Sequence, residues 1–287
     1  MKISIRDDDL NYFTTVDELE KCYGSIIKDI PITLAAIPFV TENFFKMSEL
    51  TGSRHDTLIK IKNHEKNLNK LQLGNYYQNH PLGFNQELID YLNENKERYE
   101  IALHGNTHRF YSEGAEYKLK NLPSDLISDG NRYLELLFNR KINFFVPPSN
   151  MFNFSHIDSL IDNNLSLLTS ASIYTDNIKD KLCLNFNKIM NKNYIKNRLS
   201  KKGTYTYKVK NLTVLTSITF QEWMTAKDFF DKTVSILEQH GYLSIATHYL
   251  LLKQQKNYYK EFYDYLNLVT KHYNIQFTSS SNLLNQL

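Results

Sequence analysis

The sequence predicts an α/β fold whose mainly parallel sheet closes, or nearly closes, into a barrel. Short apolar, β-prone runs alternate with longer amphipathic stretches along the whole chain, the pattern of successive strand–helix units. Seven or eight such units in one chain favour a barrel over an open sheet. No Pro/Gly/Ser-rich linker and no internal repeat divides the 287 residues, so one domain over 1–287 is expected. At 41% hydrophobic and 23% charged residues, the chain can bury a sizeable core, which excludes global disorder.

The elements follow in order. A first strand, Lys2–Arg6, alternates Ile3 and Ile5 with polar neighbours. A helix over Val16–Ile27 starts from Thr15, with Glu18 three residues on as a capping box. Strands are expected at Ile32–Phe39, Tyr99–Leu103, Ile142–Val146, Ser166–Ser170, Leu212–Ile218, Tyr242–Thr247 and Asn274–Phe277, each a short apolar run. Amphipathic spacing predicts helices at Gln86–Arg98, Pro123–Asn139, Phe154–Asp162 (capped by Asn153), Ala226–Gln239 and Lys256–His272. Two regions break the rhythm. Residues 51–83 carry His, Lys and Asn with little periodicity and read as an inserted loop or lid. Between Thr175 and Lys210 lies a basic run, Lys188, Lys192, Lys196, Arg198, Lys201 and Lys202, which is either a solvated face or a phosphate contact.

A net charge of +3 is too mild to imply nucleic acid, and no Lys/Arg block with interleaved aromatics is present. Apolar stretches such as Ile32 to Val40 are too short to cross a bilayer. No signal segment precedes the first strand, so a cytoplasmic protein is expected. Cys22 and Cys183 form no CxxC pattern, which fits a reducing compartment.

Four features fall at strand ends, where the loops of a barrel converge on one mouth. Asp7-Asp8-Asp9 closes the first strand; three adjacent carboxylates are either a solvated turn or a cation site. His104-Gly105-Asn106-Thr107-His108 follows Ile101-Ala102-Leu103. Histidines four apart suit two imidazoles on one metal, and no Glu follows His104 to make an HExxH motif. Phe144-Phe145-Val146-Pro147-Pro148-Ser149-Asn150 stops abruptly, leaving the next free N–H at Ser149. His248 ends the run Leu243 to Thr247.

In order and spacing, these features resemble the polysaccharide deacetylase family (the NodB-homology enzymes, carbohydrate esterase family 4), over Asp7 to His248. The resemblance implies a distorted (β/α)7 barrel and one divalent metal ion, most often zinc. Arg6–Asp9 resembles the Arg-x-Asp-Asp variant of the first motif. His104 and His108 match H-[ST]-x-x-H, with Gly105 in place of Ser/Thr. In the family the first Asp of the pair is the base and the second binds metal. The parity of Ile3 and Ile5 continues through Asp7 to Asp9. That favours Asp8 as base and Asp9 as ligand; the competing register makes them Asp7 and Asp8. The third motif, R-x-P-[YFW], departs from the family. Aligning Pro148 with its proline places the oxyanion donor at Ser149, and no Arg stands at the orienting position, which is Phe145 or Val146. Arg6 is a conjectured replacement. Trp223 resembles the family's aromatic wall against the acetyl group; the alternative is a half-buried core Trp.

The chemistry so implied is metal-assisted removal of an N-acyl group, N-acetyl foremost, from an amino sugar. Asp9, His104 and His108 would hold the ion, Asp8 would take a proton from water, Ser149 N–H would face the oxyanion, and His248 would protonate the amine. A cytosolic substrate, free or nucleotide- or lipid-linked, would serve surface-polysaccharide synthesis. A non-catalytic carbohydrate-binding descendant of the fold is the alternative. The oligomeric state is left open.

Overall fold

A computed structural model describes residues 1–24, 29–44, 54–111, 113–123, 125–190 and 206–287. Among the described residues seven parallel strand positions form the barrel: β1 (Lys2–Leu10), β2 (Ile32–Ala36), β3 (Tyr99–His104), β4 (Phe144–Val146), β5 (Ser166–Thr169), β6 (Leu212–Thr216) and β7 (Tyr242–His248). β1 lies between β2 and β7. The order then runs through β3, β4 and β5 to β6.

Closure depends on one residue. β6 pairs with β5 up to Thr216, and after Ser217 the chain resumes as Ile218–Thr219 and pairs with β7 instead. Ser217 N–H donates to Thr169 O at 2.9 Å, while its hydroxyl meets that of Ser244 on β7 at 2.9 Å. The single strand expected at Leu212–Ile218 is therefore a strand and a corner, and the corner converts an open sheet into a distorted barrel. Below it an antiparallel strand, Thr206–Val209, pairs with β6 and donates Thr206 N–H to the Tyr242 hydroxyl at 3.1 Å.

Side chains alternate across each strand, so the barrel has an inner and an outer set. Ile3 and Ile5 belong to the outer cluster with Leu19, Cys22 and Tyr23 of the helix Val16–Tyr23. Ala35, Ala102, Phe144, Val146, Leu168, Leu215 and Tyr242 form an inner cluster, with Leu283 of the helix Ser280–Leu284 packed among them. Full burial of a leucine contributes about 1.5–3 kcal/mol. This C-terminal helix has no counterpart in the sequence expectations: its five residues are too short for a periodicity signal. Its cap is legible in retrospect, since Ser279 accepts from Asn282 N–H.

The helices Val16–Tyr23, Gln86–Glu94, Leu126–Phe138, Ala226–His240 and Lys256–His272 lie where amphipathic spacing places them, and Thr15 and Glu18 form the expected capping box. Ile32–Phe39 divides at Ile37-Pro38 into β2 and a short strand, Phe39–Thr41, paired with Asn79–Pro81. Residues 51–83 hold more structure than the expected loop or lid: helices Arg54–Lys66 and Lys70–Tyr76 are present. The first has a thin apolar stripe, Ile61 being its one fully buried residue among those whose side chains are described. The second starts at Asn69 with Gln72 reaching back, a capping box that the sequence did display. Lys188 falls in the helix Ile178–Met190, and Lys192, Lys196, Arg198, Lys201 and Lys202 lie outside the described residues. Among the described residues Cys22 and Cys183 form no disulfide. Among the described residues no helix is long and apolar enough to cross a membrane.

Candidate functional site

The carboxyl ends of β1, β3, β4 and β7 meet at the mouth of the barrel. Asp9, His104 and His108 offer ligand atoms that all lie within 4.8 Å of one another. Asp9 Oδ1 is 3.1 Å from His104 Nε2 and 3.4 Å from His108 Nε2. His104 Nδ1 lies 2.9 Å from Val146 O, so its N–H points at that carbonyl and its Nε2 faces Asp9. Orientation of a ligating imidazole through its other nitrogen is characteristic of metal sites. Two imidazoles and a carboxylate with further positions open suit a catalytic divalent ion such as zinc. Burial lowers the His108 pKa to about 4, leaving it neutral and able to ligate. Burial also opposes ionisation of Asp9, but the His104 hydrogen bond and the surrounding imidazoles prevail and hold Asp9 well below the usual carboxylate range. His104 shifts upward: burial lowers its pKa, yet the Asp9 hydrogen bond and the Asp8 and Asp9 charges outweigh it.

How Asp9 arrives there differs from the parity argument. Ile3, Ile5 and Asp7 face the helical layer, and Ser4, Arg6 and Asp8 face the lumen. Simple alternation would turn Asp9 outward. Instead the register with β2 slips between Asp7 and Leu10, and Asp9 adopts φ 78°. This bulge turns its carboxylate to the mouth. His108 is also left-handed, at φ 54°. Such conformations cost about 1–3 kcal/mol each and cluster at functional sites.

The other two carboxylates part company. Asp8 is 2% exposed and paired with Arg6, which is 0% exposed. Arg6 Nε lies 2.7 Å from Asp8 Oδ1, and Nη2 donates to Oδ2 at 2.8 Å. The guanidinium also donates to Leu168 O at 3.0 Å and to Asn150 Oδ1 at 3.4 Å. Arg6, on the same strand, thus sets a positive charge beside Asp8. Asp7 lies behind the strand and accepts a hydrogen bond from the Tyr23 hydroxyl. Burial, reinforced by the Asp8 and Asp9 charges, pushes its carboxyl well above the usual range against that hydrogen bond.

His248 Nε2 stands 3.9 Å from Asp8 Oδ2 and 4.0 Å from Asp9 Oδ2, with its side chain 26% exposed. Ser149, half-buried, takes a left-handed conformation (φ 55°) after Pro147-Pro148. The neighbouring Asn150 accepts from Ser170 N–H at 3.1 Å and from Arg6. Trp223 is 71% exposed and makes no ring contact among the described residues. It is therefore not a core tryptophan. It follows Ile218–Thr219 on the mouth side.

Sequence reasoning missed several supports. Glu116 accepts the N–H groups of Asn106, Thr107 and His108. Asn43 accepts Phe110 N–H at 2.8 Å and donates to the Tyr76 hydroxyl at 2.9 Å. The Arg109 guanidinium lies 3.4 Å from the Tyr77 ring centroid. Ile61 packs with Phe110 and Ala115. The helices of residues 54–76 thus brace the segment after His108. No local signal marked these residues, because each acts through a partner distant in sequence.

No family model matches the chain, and no curated protein matches its sequence. Solved structures do. A Mycobacterium smegmatis protein, provisionally assigned as a polysaccharide deacetylase, superposes with TM-score 0.55 at 8% identity, covering 99% of this chain and 89% of that one. The GH57-type branching enzyme of the archaeon Pyrococcus horikoshii superposes with TM-score 0.53 at 10% identity, covering 99% and 69%. One barrel hosting differently described proteins shows why function must be argued from the site. The fold itself is the divergent deacetylase-type α/β barrel.

Proposed function

We propose that this chain is a metal-dependent hydrolase that removes an N-acyl group, N-acetyl foremost, from an amino sugar or glycan precursor. The observation that carries the reading is the convergence at one barrel mouth of an Asp–His–His ligand set with an Arg-paired carboxylate and a partly exposed histidine. Asp9, His104 and His108 would hold the ion, zinc by their donor chemistry. A divalent ion supplies Lewis acidity toward a carbonyl and acidifies water from a pKa of 15.7 to about 7. Asp8, held by Arg6, accepts the proton of the attacking water. The new oxygen–carbon bond pushes charge onto the acyl oxygen, which the Ser149 N–H faces. Such a donor is typically worth about 3 kcal/mol. His248 delivers a proton to the nitrogen as the C–N bond breaks, releasing carboxylate and amine. Trp223, exposed on the mouth side, supplies a face for a sugar ring.

A phosphate-bearing substrate, nucleotide- or lipid-linked, suits the basic run near Lys196, and cytoplasmic surface-glycan synthesis is the setting we favour. The Arg6–Asp8 pair supports the catalytic reading over that of a non-catalytic sugar binder. Acetate release from N-acetylated amino sugars by the zinc-loaded protein, abolished by a chelator and by Asp8→Asn, tests the reading. Sugar binding without acetate release would replace it with the binding one.

A further inference from the structure

We propose that Glu116 is the positioning residue of the metal centre, and that the glycine at position 105 lets it act. The inference rests on Asp9, His104 and His108 being the metal ligands. Glu116 is 1% exposed, and no Lys or Arg is paired with it among the described residues. Its carboxylate is wrapped instead by the turn between the two histidines. Oε2 accepts Asn106 N–H at 3.0 Å and His108 N–H at 3.2 Å, and Oε1 accepts Thr107 N–H at 3.1 Å and the Thr107 hydroxyl at 2.8 Å. Successive backbone N–H groups converging on one anion form a nest. A carboxylate is costly to bury without such partners, so the turn and the side chain hold each other.

What the nest holds is His108. That residue is left-handed at φ 54° and presents Nε2 3.4 Å from Asp9 Oδ1. A strained conformation persists only where its surroundings over-determine it, and the His108 N–H bond to Glu116 is one such determinant.

Gly105 completes the device. Its φ is +63°, and a Cβ there would lie 2.3 Å from Pro148 Cγ and 2.7 Å from Glu116 Oε2. The turn can settle on the carboxylate only if residue 105 has no side chain. Gly105 and the buried Glu116 are therefore parts of one arrangement, with Pro148 packed against the same glycine.

The test is zinc affinity, by chelator competition on the full chain, with the visible spectrum of the cobalt-substituted protein and the melting temperature of the metal-free protein. Glu116→Gln, near-isosteric, should bind zinc about 10–100-fold more weakly, the range typical of lost outer-shell partners, with an altered cobalt spectrum. Gly105→Ala, which leaves Glu116 intact but lifts the turn off it, should shift affinity the same way. Leu134→Ala, a core truncation in the helix Leu126–Phe138, should lower the melting temperature while leaving zinc affinity unchanged, separating positioning from general stability. Zinc affinity within twofold of wild type in both Glu116→Gln and Gly105→Ala, with an unaltered cobalt spectrum, would overturn the proposal alone. Failure of the wild type to bind zinc or cobalt would overturn the metal-centre reading and the proposal together.

Discussion

The two faces of β1 give neighbouring carboxylates opposite fates. On the outer face Asp7 packs with Tyr23 under the helical layer, and burial drives it toward the neutral acid. On the inner face Asp8 is as deeply buried, yet Arg6 two residues earlier stands beside it in the lumen and pairs with it. Burial is nearly equal on the two sides, so burial does not distinguish the two carboxylates. The partner decides. Alternation sends Arg6 and Asp8 to the same side, and the bulge then brings Asp9 to that side as well.

The sharpest way to break this comparison is to remove each charge in turn. Asp8→Asn should lower turnover by about 10²–10⁴-fold, the usual loss for a general base, while zinc stays bound. Steady-state kinetics with metal analysis checks both halves. Arg6→Met leaves Asp8 buried without its cation and should destabilise the fold by about 3–5 kcal/mol. Adding Asp8→Asn to that variant should restore part of the loss, read from urea unfolding of the pair of variants. Asp7→Asn should be nearly silent because burial already opposes the charge that it removes. We expect stability within about 1 kcal/mol of wild type and turnover within a few-fold. A large loss of turnover in Asp7→Asn would move the base to the outer face. Trp223→Ala, at an exposed site, should alter stability by less than about 0.5 kcal/mol, with KM for an N-acetylated sugar raised and kcat retained.

Much of the fold was legible because its signals are local. Thr15 with Glu18, the run Tyr242 to His248, and the spacing of Lys256–His272 each announce an element from a few adjacent residues. The same holds for the cluster Asp9, His104 and His108, since strand ends in a barrel must converge. The reason given for Asp9 was nevertheless incomplete: parity of side chains ends where a bulge begins, and nothing in Arg6-Asp7-Asp8-Asp9 marks the slip in register against β2. Ser217, which closes the barrel, reads as the middle of a strand because its corner is set by pairing with two different neighbours. Glu116 gave no warning, since it acts on a turn eight to ten residues upstream through backbone groups that carry no sequence signature.

Asp9, and neither Asp7 nor Asp8, is expected to join His104 and His108 around a divalent ion. Metal stoichiometry of purified wild type, Asp8→Asn, Asp9→Asn and His104→Ala after zinc loading tests it most directly. About one ion per chain is expected in wild type and Asp8→Asn, and loss in Asp9→Asn and His104→Ala. Retention of the ion in Asp9→Asn with loss in Asp8→Asn, or a wild type that takes up no metal, would contradict it.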